Sequence, residues 1–214
     1  MKLQLDFISD VSCPWCIIGY AGLAQAMAQL PNAIEVELTF MPFEINADMA
    51  PEGEPLASYL SRKYGMSASQ RADNIATLTK RGLEVGFEFM PLEQRHVYNS
   101  FDCHRLLHLA LQHQLQIPLK LALFEAYFRR GVDISNKDML RQIAIDVGLN
   151  TSLVDQLLDS DLYRTEVRQL QKKYQQSGVS AVPMLIINNK YGIPGAQTAQ
   201  GYLEILQDII RENS

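Results

Sequence analysis

Residues 3–8, Leu-Gln-Leu-Asp-Phe-Ile, alternate apolar and polar positions and end on two apolar ones. That period predicts a strand with one face buried along most of its length. Ser9-Asp10 stops the run, and Cys13-Pro14-Trp15-Cys16 follows. Apolar positions Ile17, Tyr20, Ala21, Ala24 and Ala28 then recur at helical spacing until Leu30-Pro31-Asn32 closes the segment. Residues 34–40, Ile-Glu-Val-Glu-Leu-Thr-Phe, alternate strictly and predict a second strand. Strand, helix and strand make a βαβ unit, whose crossover is expected to be right-handed.

The pattern changes at Pro55. Helical spacing predicts helices over 55–64, 67–83, 99–115, 118–130, 135–147, 150–159 and 161–176, with stop signals at Gly65, Gly131, Gly148 and Gly178. Pro118 suits the first turn of the fourth, and Ser135 followed by Asp138 suits the N-terminus of the fifth. Tyr163, Val167, Leu170 and Tyr174 form one apolar stripe on the last. No period repeats across these helices, which excludes a solenoid. Strand character returns with the apolar run Val182 to Ile187, an Asn188-Asn189 turn and a short return strand over 190–193. Gly195 to Thr198 then lead into a final helix carrying Tyr202, Leu203, Leu206, Ile209 and Ile210. Neither flank holds enough strands to close a sheet alone, so the helical block reads as an insertion into an α/β domain.

Composition narrows the function classes. Of 214 residues 47% are hydrophobic and 20% charged, enough for a large core. Nineteen Lys and Arg against 24 Asp and Glu give a net charge of −5. The basic clusters, Arg129-Arg130 and Lys172-Lys173, suit solvated helix faces. Neither nucleic acid nor an anionic membrane is therefore an expected partner. No run of 18 apolar residues predicts a membrane span, and the first residues lack the apolar core of a secretory signal. A cytoplasmic location is expected, where three cysteines do not make a disulfide framework.

Two of those cysteines carry the chemistry. With Cys13 at or near the N-cap, Pro14 at the first helical position needs no backbone partner, and Cys16 falls one turn along on the same side. Unpaired N–H groups and the helix dipole then favour a Cys13 thiolate, the nucleophile of disulfide exchange. Cys16, deeper in the helix, is expected to stay a thiol until it resolves the mixed disulfide. A zinc site on Cys13, Cys16, Cys103 and His104 lacks a second closely spaced ligand pair, so no metal is expected. His104 and His108, at i and i+4, share a stripe with Leu111 and Leu115 and have no intervening Glu; they read as structural. Cys103 aligns with Leu107, Ala110 and Leu111 and reads as a small core hydrophobe. Glu52 and Glu54, and Glu84 and Glu88, flank glycines and read as solvated turns.

Pro183 opens the third strand, a position proline tolerates in any sheet. Together with a CxxC after the first strand, it resembles the thioredoxin fold, in which a cis-proline loop faces the active-site cysteines. A thioredoxin-like frame interrupted after its second strand by a large all-helical insertion resembles the DsbA family. Within that family the chain is most similar to the cytosolic FrnE-like branch, related to 2-hydroxychromene-2-carboxylate isomerases and kappa-class glutathione transferases. The matching segments are Phe7-Ile8-Ser9-Asp10 with Cys13 to Cys16, Met41 to Asn46, Asn99 to Leu106, Gly178 to Pro183, and Gly195-Ala196-Gln197. The family usually carries a small apolar residue where this chain has Cys103.

The resemblance implies a discontinuous thioredoxin-like domain over 1–45 and 160–214, with 46–159 as the inserted helical domain. It also implies that Cys13, Cys16 and Pro183 carry catalysis, that Pro14, Trp15 and Val182 contact substrate, and that Asn99 and His104-Arg105 lie near the catalytic face, with Asn99 and His104 binding substrate. The expected activity is thiol–disulfide exchange with protein or small-molecule thiols. No resident cofactor is expected, although glutathione is a candidate co-substrate. The alternative is a glutathione-dependent isomerase or transferase, but those relatives commonly keep a single Ser or Cys at the position of Cys13. With no cation in the motif and Asp10 upstream, the reduction potential is expected nearer that of glutaredoxins, ~ −200 to −230 mV, than that of DsbA.

Overall fold

The computed structural model describes residues 2–91 and 94–213. In chain order its first half holds β1 (Lys2–Ser9), α1 (Pro14–Met27), β2 (Glu35–Pro42), β3 (Glu54–Pro55), α2 (Leu56–Tyr64), α3 (Ala68–Glu84) and β4 (His96–Val97). There follow α4 (Phe101–Gln112), α5 (Gln116–Phe128), α6 (Lys137–Asp146), α7 (Thr151–Leu158) and α8 (Arg164–Gln176). The chain closes with β5 (Met184–Ile187), β6 (Tyr191–Pro194) and α9 (Ala199–Glu212).

The main sheet runs β2-β1-β5-β6. β1 pairs parallel with β2 and antiparallel with β5, which places Phe7 between Phe40 and Leu185. This central place explains why β1 is buried on both faces over its second half rather than on one. Leu3, Leu5 and Phe7 join the main core with Ile18 and Leu23 of α1 and Tyr202 and Leu206 of α9. On the opposite face Ile8 packs with Phe43, Tyr174 and Val179, and the Tyr174 hydroxyl donates to Asp6 Oδ2 at 2.9 Å. β6 forms one edge of the sheet and β2 the other. Gln116 of α5 blunts the β2 edge by accepting from Phe40 N and donating to Phe40 O, both at 2.9 Å, as a neighbouring strand would.

Helices and strands follow the predicted segments closely, with instructive exceptions. The buried positions of α1 are Cys16, Ile17, Ile18, Gly19, Gly22, Leu23 and Ala26, while Ala28 is exposed. The small residues read as a stripe do not mark the deepest face, because the close neighbours are backbone. A side chain at Gly22 would stand 2.8 Å from Gln197 O. α5 begins at Gln116, so Pro118 is its third residue. The cap of α6 is Asn136, accepting from Asp138 N and Met139 N, whereas the Ser135 hydroxyl donates to Asp133. Tyr163 caps α8 in the left-handed region rather than opening its apolar stripe. Val182 and Pro183 precede β5 instead of starting it. The β3–β4 pair was not anticipated, and Glu54, read as a solvated turn, lies in it and pairs with Arg62 at 2.6 Å. Asn188 and Asn189 both have positive φ and form the tight turn joining β5 to β6.

Candidate active site

β1 delivers the chain to the sheet's C-terminal edge, and the Asp10 to Cys13 turn hands it to α1. Cys13 is the N-cap, with φ −92° and ψ 112°, and Pro14 follows at the first helical position. Cys16 N donates to Cys13 O at 3.2 Å, and both cysteines are free. Cys13 Sγ lies 3.7 Å from Val182 O, so the loop before β5 sits directly against the first cysteine. The Val182–Pro183 peptide bond is cis. Pro183 is buried against α1 where the helix has glycine; a Cβ on Gly19 would stand 3.2 Å from Pro183 Cγ.

Beneath this turn lies a cluster of ionisable groups. Asp10 is fully buried. Its Oδ1 accepts from Ser12 N at 3.1 Å, and its Oδ2 from Ser12 Oγ at 2.8 Å and Ile45 N at 2.7 Å. His104 Nε2 of α4 completes the site at 3.5 Å from Oδ1, an ion-pair contact without hydrogen-bond alignment. Burial opposes ionisation of Asp10, yet His104, Ile45 and Ser100 together outweigh it and hold the carboxyl far below the usual range. One carboxylate thus ties the cysteine loop, the chain after β2 and a helix of the insertion together.

Burial, reinforced by neighbouring Cys13, pushes the Cys16 thiol well above its ordinary value. Lys120 of α5 opposes this and favours the Cys16 thiolate, with a smaller contribution from the Asp10 backbone. Lys120 is itself fully buried, and its Nζ has no hydrogen-bond partner among the described residues. It sits over the rings of Phe40 and Phe124, at 5.3 and 5.0 Å. Burial lowers its pKa, against the attraction of Cys16 first and then Asp10.

Cys13, Trp15 and Val182 border a cavity of about 290 Å³ between the cysteine turn and the α2–α3 pair. Leu56, Leu60, Ile75 and Leu78 supply an apolar wall. Tyr59, Val97, Asn46 and Arg95 also line it. Trp15 is 36% exposed at its rim.

The structure therefore brings Cys13, Pro14, Trp15, Cys16, Val182 and Pro183 together. Asn99 and His104 do not line this cavity. Asn99 Oδ1 accepts from Phe101 N at 2.9 Å and its amide donates to Ala47 O, so its polar atoms are spent in fixing the start of α4. His104 is turned inward to Asp10. Arg105 is also directed away from the cavity, donating to the carbonyls of Leu157, Ser160 and Leu162 at the end of α7. Cys103 is fully buried with Sγ 3.4 Å from Ile134 O, and burial raises its thiol well above the ordinary value. His108 rests 4.8 Å from the Tyr163 ring. Lys120 and Arg95 escaped sequence reasoning, because a lone cation inside a helical or loop pattern reads as surface.

The fold and the paired cysteines define a thioredoxin-like protein with the oxidoreductase arrangement. The DSBA-like thioredoxin domain profile matches residues 4–207, and the chain belongs to that family. It is 26% identical over 209 residues to YwbO of Bacillus subtilis, covering 97% of this chain and 98% of that one. A probable DsbA oxidoreductase from Streptomyces coelicolor is 28% identical with a TM-score of 0.90, covering 99% of this chain and 92% of the other. The cytosolic disulfide reductase DsbM of Pseudomonas aeruginosa, solved with glutathione, shares the fold at 16% identity and a TM-score of 0.62, covering 97% and 99%. No helix among the described residues is long and apolar enough to cross a membrane.

Proposed function

We propose that the protein is a thiol–disulfide oxidoreductase in which Cys13 exchanges with substrate and Cys16 resolves. The observation that carries this is the placing of Cys13 as N-cap of α1, against Val182 O and bordering the cavity, with Cys16 fully buried behind it. The Cys13 thiolate attacks one sulfur of a substrate disulfide, forming a mixed disulfide and releasing the other half as a thiolate. Cys16 then attacks Cys13 Sγ, its proton passing to the departing sulfur, which closes the Cys13–Cys16 disulfide and releases the second half of the substrate as a thiol. Two electrons pass from the dithiol to the substrate, and an external thiol reverses the steps. Val182 offers backbone groups beside Cys13 to an extended substrate, with Pro183 fixing that loop against Gly19. Lys120, as the cation favouring ionised Cys16, eases the second step. DsbM supports a glutathione-linked, cytosolic role.

Thiol mapping tests the assignment. In the reduced protein at neutral pH, Cys13 is expected to be alkylated first, by at least about tenfold in rate. Cys16 and Cys103 are expected to stay unlabelled until well into the alkaline range, since burial raises both thiols. Cys103 labelled before Cys13 overturns the proposal.

A further inference from the structure

Arg95 is 4% exposed, and its Nε and Nη1 have no hydrogen-bond partner among the described residues. Its guanidinium stacks over Tyr127 and Phe128, at 4.8 and 4.4 Å from the ring centroids. Those rings hold it in place, and Tyr127 also supports its charge against burial, while Nε and Nη1 remain unsatisfied. A buried guanidinium with two nitrogens unsatisfied among the described residues is costly unless an anion completes it. Arg95 also lines the cavity beside Cys13, and it is the charged residue among the described residues that do so.

We infer that Arg95 is a carboxylate-binding residue, and that the substrate disulfides are those of small thiols with one carboxylate on an apolar, preferably aromatic body. This deepens the proposed function and rests on it. The cavity volume of about 290 Å³ suits one such half-molecule. A carboxylate meets the planar fork in a charge-assisted pair, strengthened by the low dielectric around it. The apolar body then lies on Leu56, Leu60, Ile75 and Leu78, and its sulfur is left toward Cys13. Glutathione fits less well, because its second carboxylate and its ammonium group meet no second charged side chain among the described residues of the lining. The single cation thus selects for charge as well as shape.

The test compares two aryl disulfides with similar leaving groups, dithiobis(nitrobenzoate) and its neutral bis-carboxamide. Exchange of wild type and Arg95→Gln with each is followed by stopped flow. The variant is expected to lose about tenfold or more in rate with the carboxylate and less than twofold with the carboxamide. Arg95→Lys, which keeps charge but not the fork, is expected to fall between. Equal losses with both disulfides, matched by slower alkylation with neutral iodoacetamide, would mean that Arg95 acts on Cys13 itself and would overturn the inference. An unchanged carboxylate rate would overturn it equally. A second measurement is independent of redox chemistry: calorimetric binding of phenylpropionate to Cys13→Ser. Binding that is lost when Arg95→Gln is added, with phenylpropanol weak in both, supports the site even if exchange fails; no phenylpropionate binding contradicts it. Near-ultraviolet circular dichroism of each variant separates loss of the site from loss of the fold.

Discussion

Replacing Cys16 by serine is expected to halt turnover at a mixed disulfide, with one equivalent of substrate held on Cys13. Cys16 is fully buried behind Cys13, and its N–H is bonded to Cys13 O. Serine at this position keeps the helix start and removes only the resolving sulfur. The first attack therefore proceeds and the second has no nucleophile. Cys13→Ser, by contrast, is expected to abolish exchange altogether, because the remaining thiols are raised well above the ordinary value by burial. Intact-mass measurement after mixing with a disulfide distinguishes the two: added mass for Cys16→Ser and none for Cys13→Ser. Steady turnover by Cys16→Ser would favour the single-cysteine chemistry of a glutathione-dependent isomerase or transferase.

Replacing His104 by glutamine is expected to destabilise the fold by roughly 3–5 kcal/mol at neutral pH, the usual cost of leaving a buried carboxylate without its partner. For a chain of this size that lowers Tm by about 10 °C. Asp10 would keep its bonds to Ser12 and Ile45 but lose the His104 contact that helps offset its burial. The pH dependence follows from the direction of its shift. The folded-state pKa of Asp10 lies below its unfolded value, so its contribution to stability is fully present above ~ pH 4 and is lost as the pH falls further. The difference between wild type and His104→Gln should accordingly narrow in acid. Thermal melts from neutral pH down to about pH 3 check both parts; a gap that stays constant or widens contradicts the pairing.

The course of the chain was legible because local signals agreed with one another. Alternation marks β1 and β2, glycine or asparagine ends most helices, and Cys13-Pro14 announces a helix start that needs no capping side chain. Pro183 could be linked to Cys13 only through a family resemblance, since nothing local says which loop a proline will face. Asp10 shows the limit of local reading. In the sequence it is an acidic neighbour that weakens a thiolate; in the fold its charge is met by His104, 94 positions away, and by Ile45. Arg95 and Lys120 were missed for the same reason. A buried cation has no periodic signature, and its burial is decided by which helices pack over it. Asn99 and His104 carry the converse lesson, for a residue can belong to a family segment and serve the site from behind.

The central claim is that Cys13 and Cys16 form a two-electron redox couple. Trp15, the single tryptophan of the chain, sits between them in sequence and is expected to report on their state. Its fluorescence, followed across glutathione buffers of graded potential, is predicted to show one two-electron transition at ~ −200 to −230 mV. Quenched samples should map the disulfide to Cys13 and Cys16, with Cys103 still a thiol, and the transition should disappear in Cys16→Ser. A titration that leaves Cys13 and Cys16 unlinked across the whole range, or that links either of them to Cys103, would contradict the account.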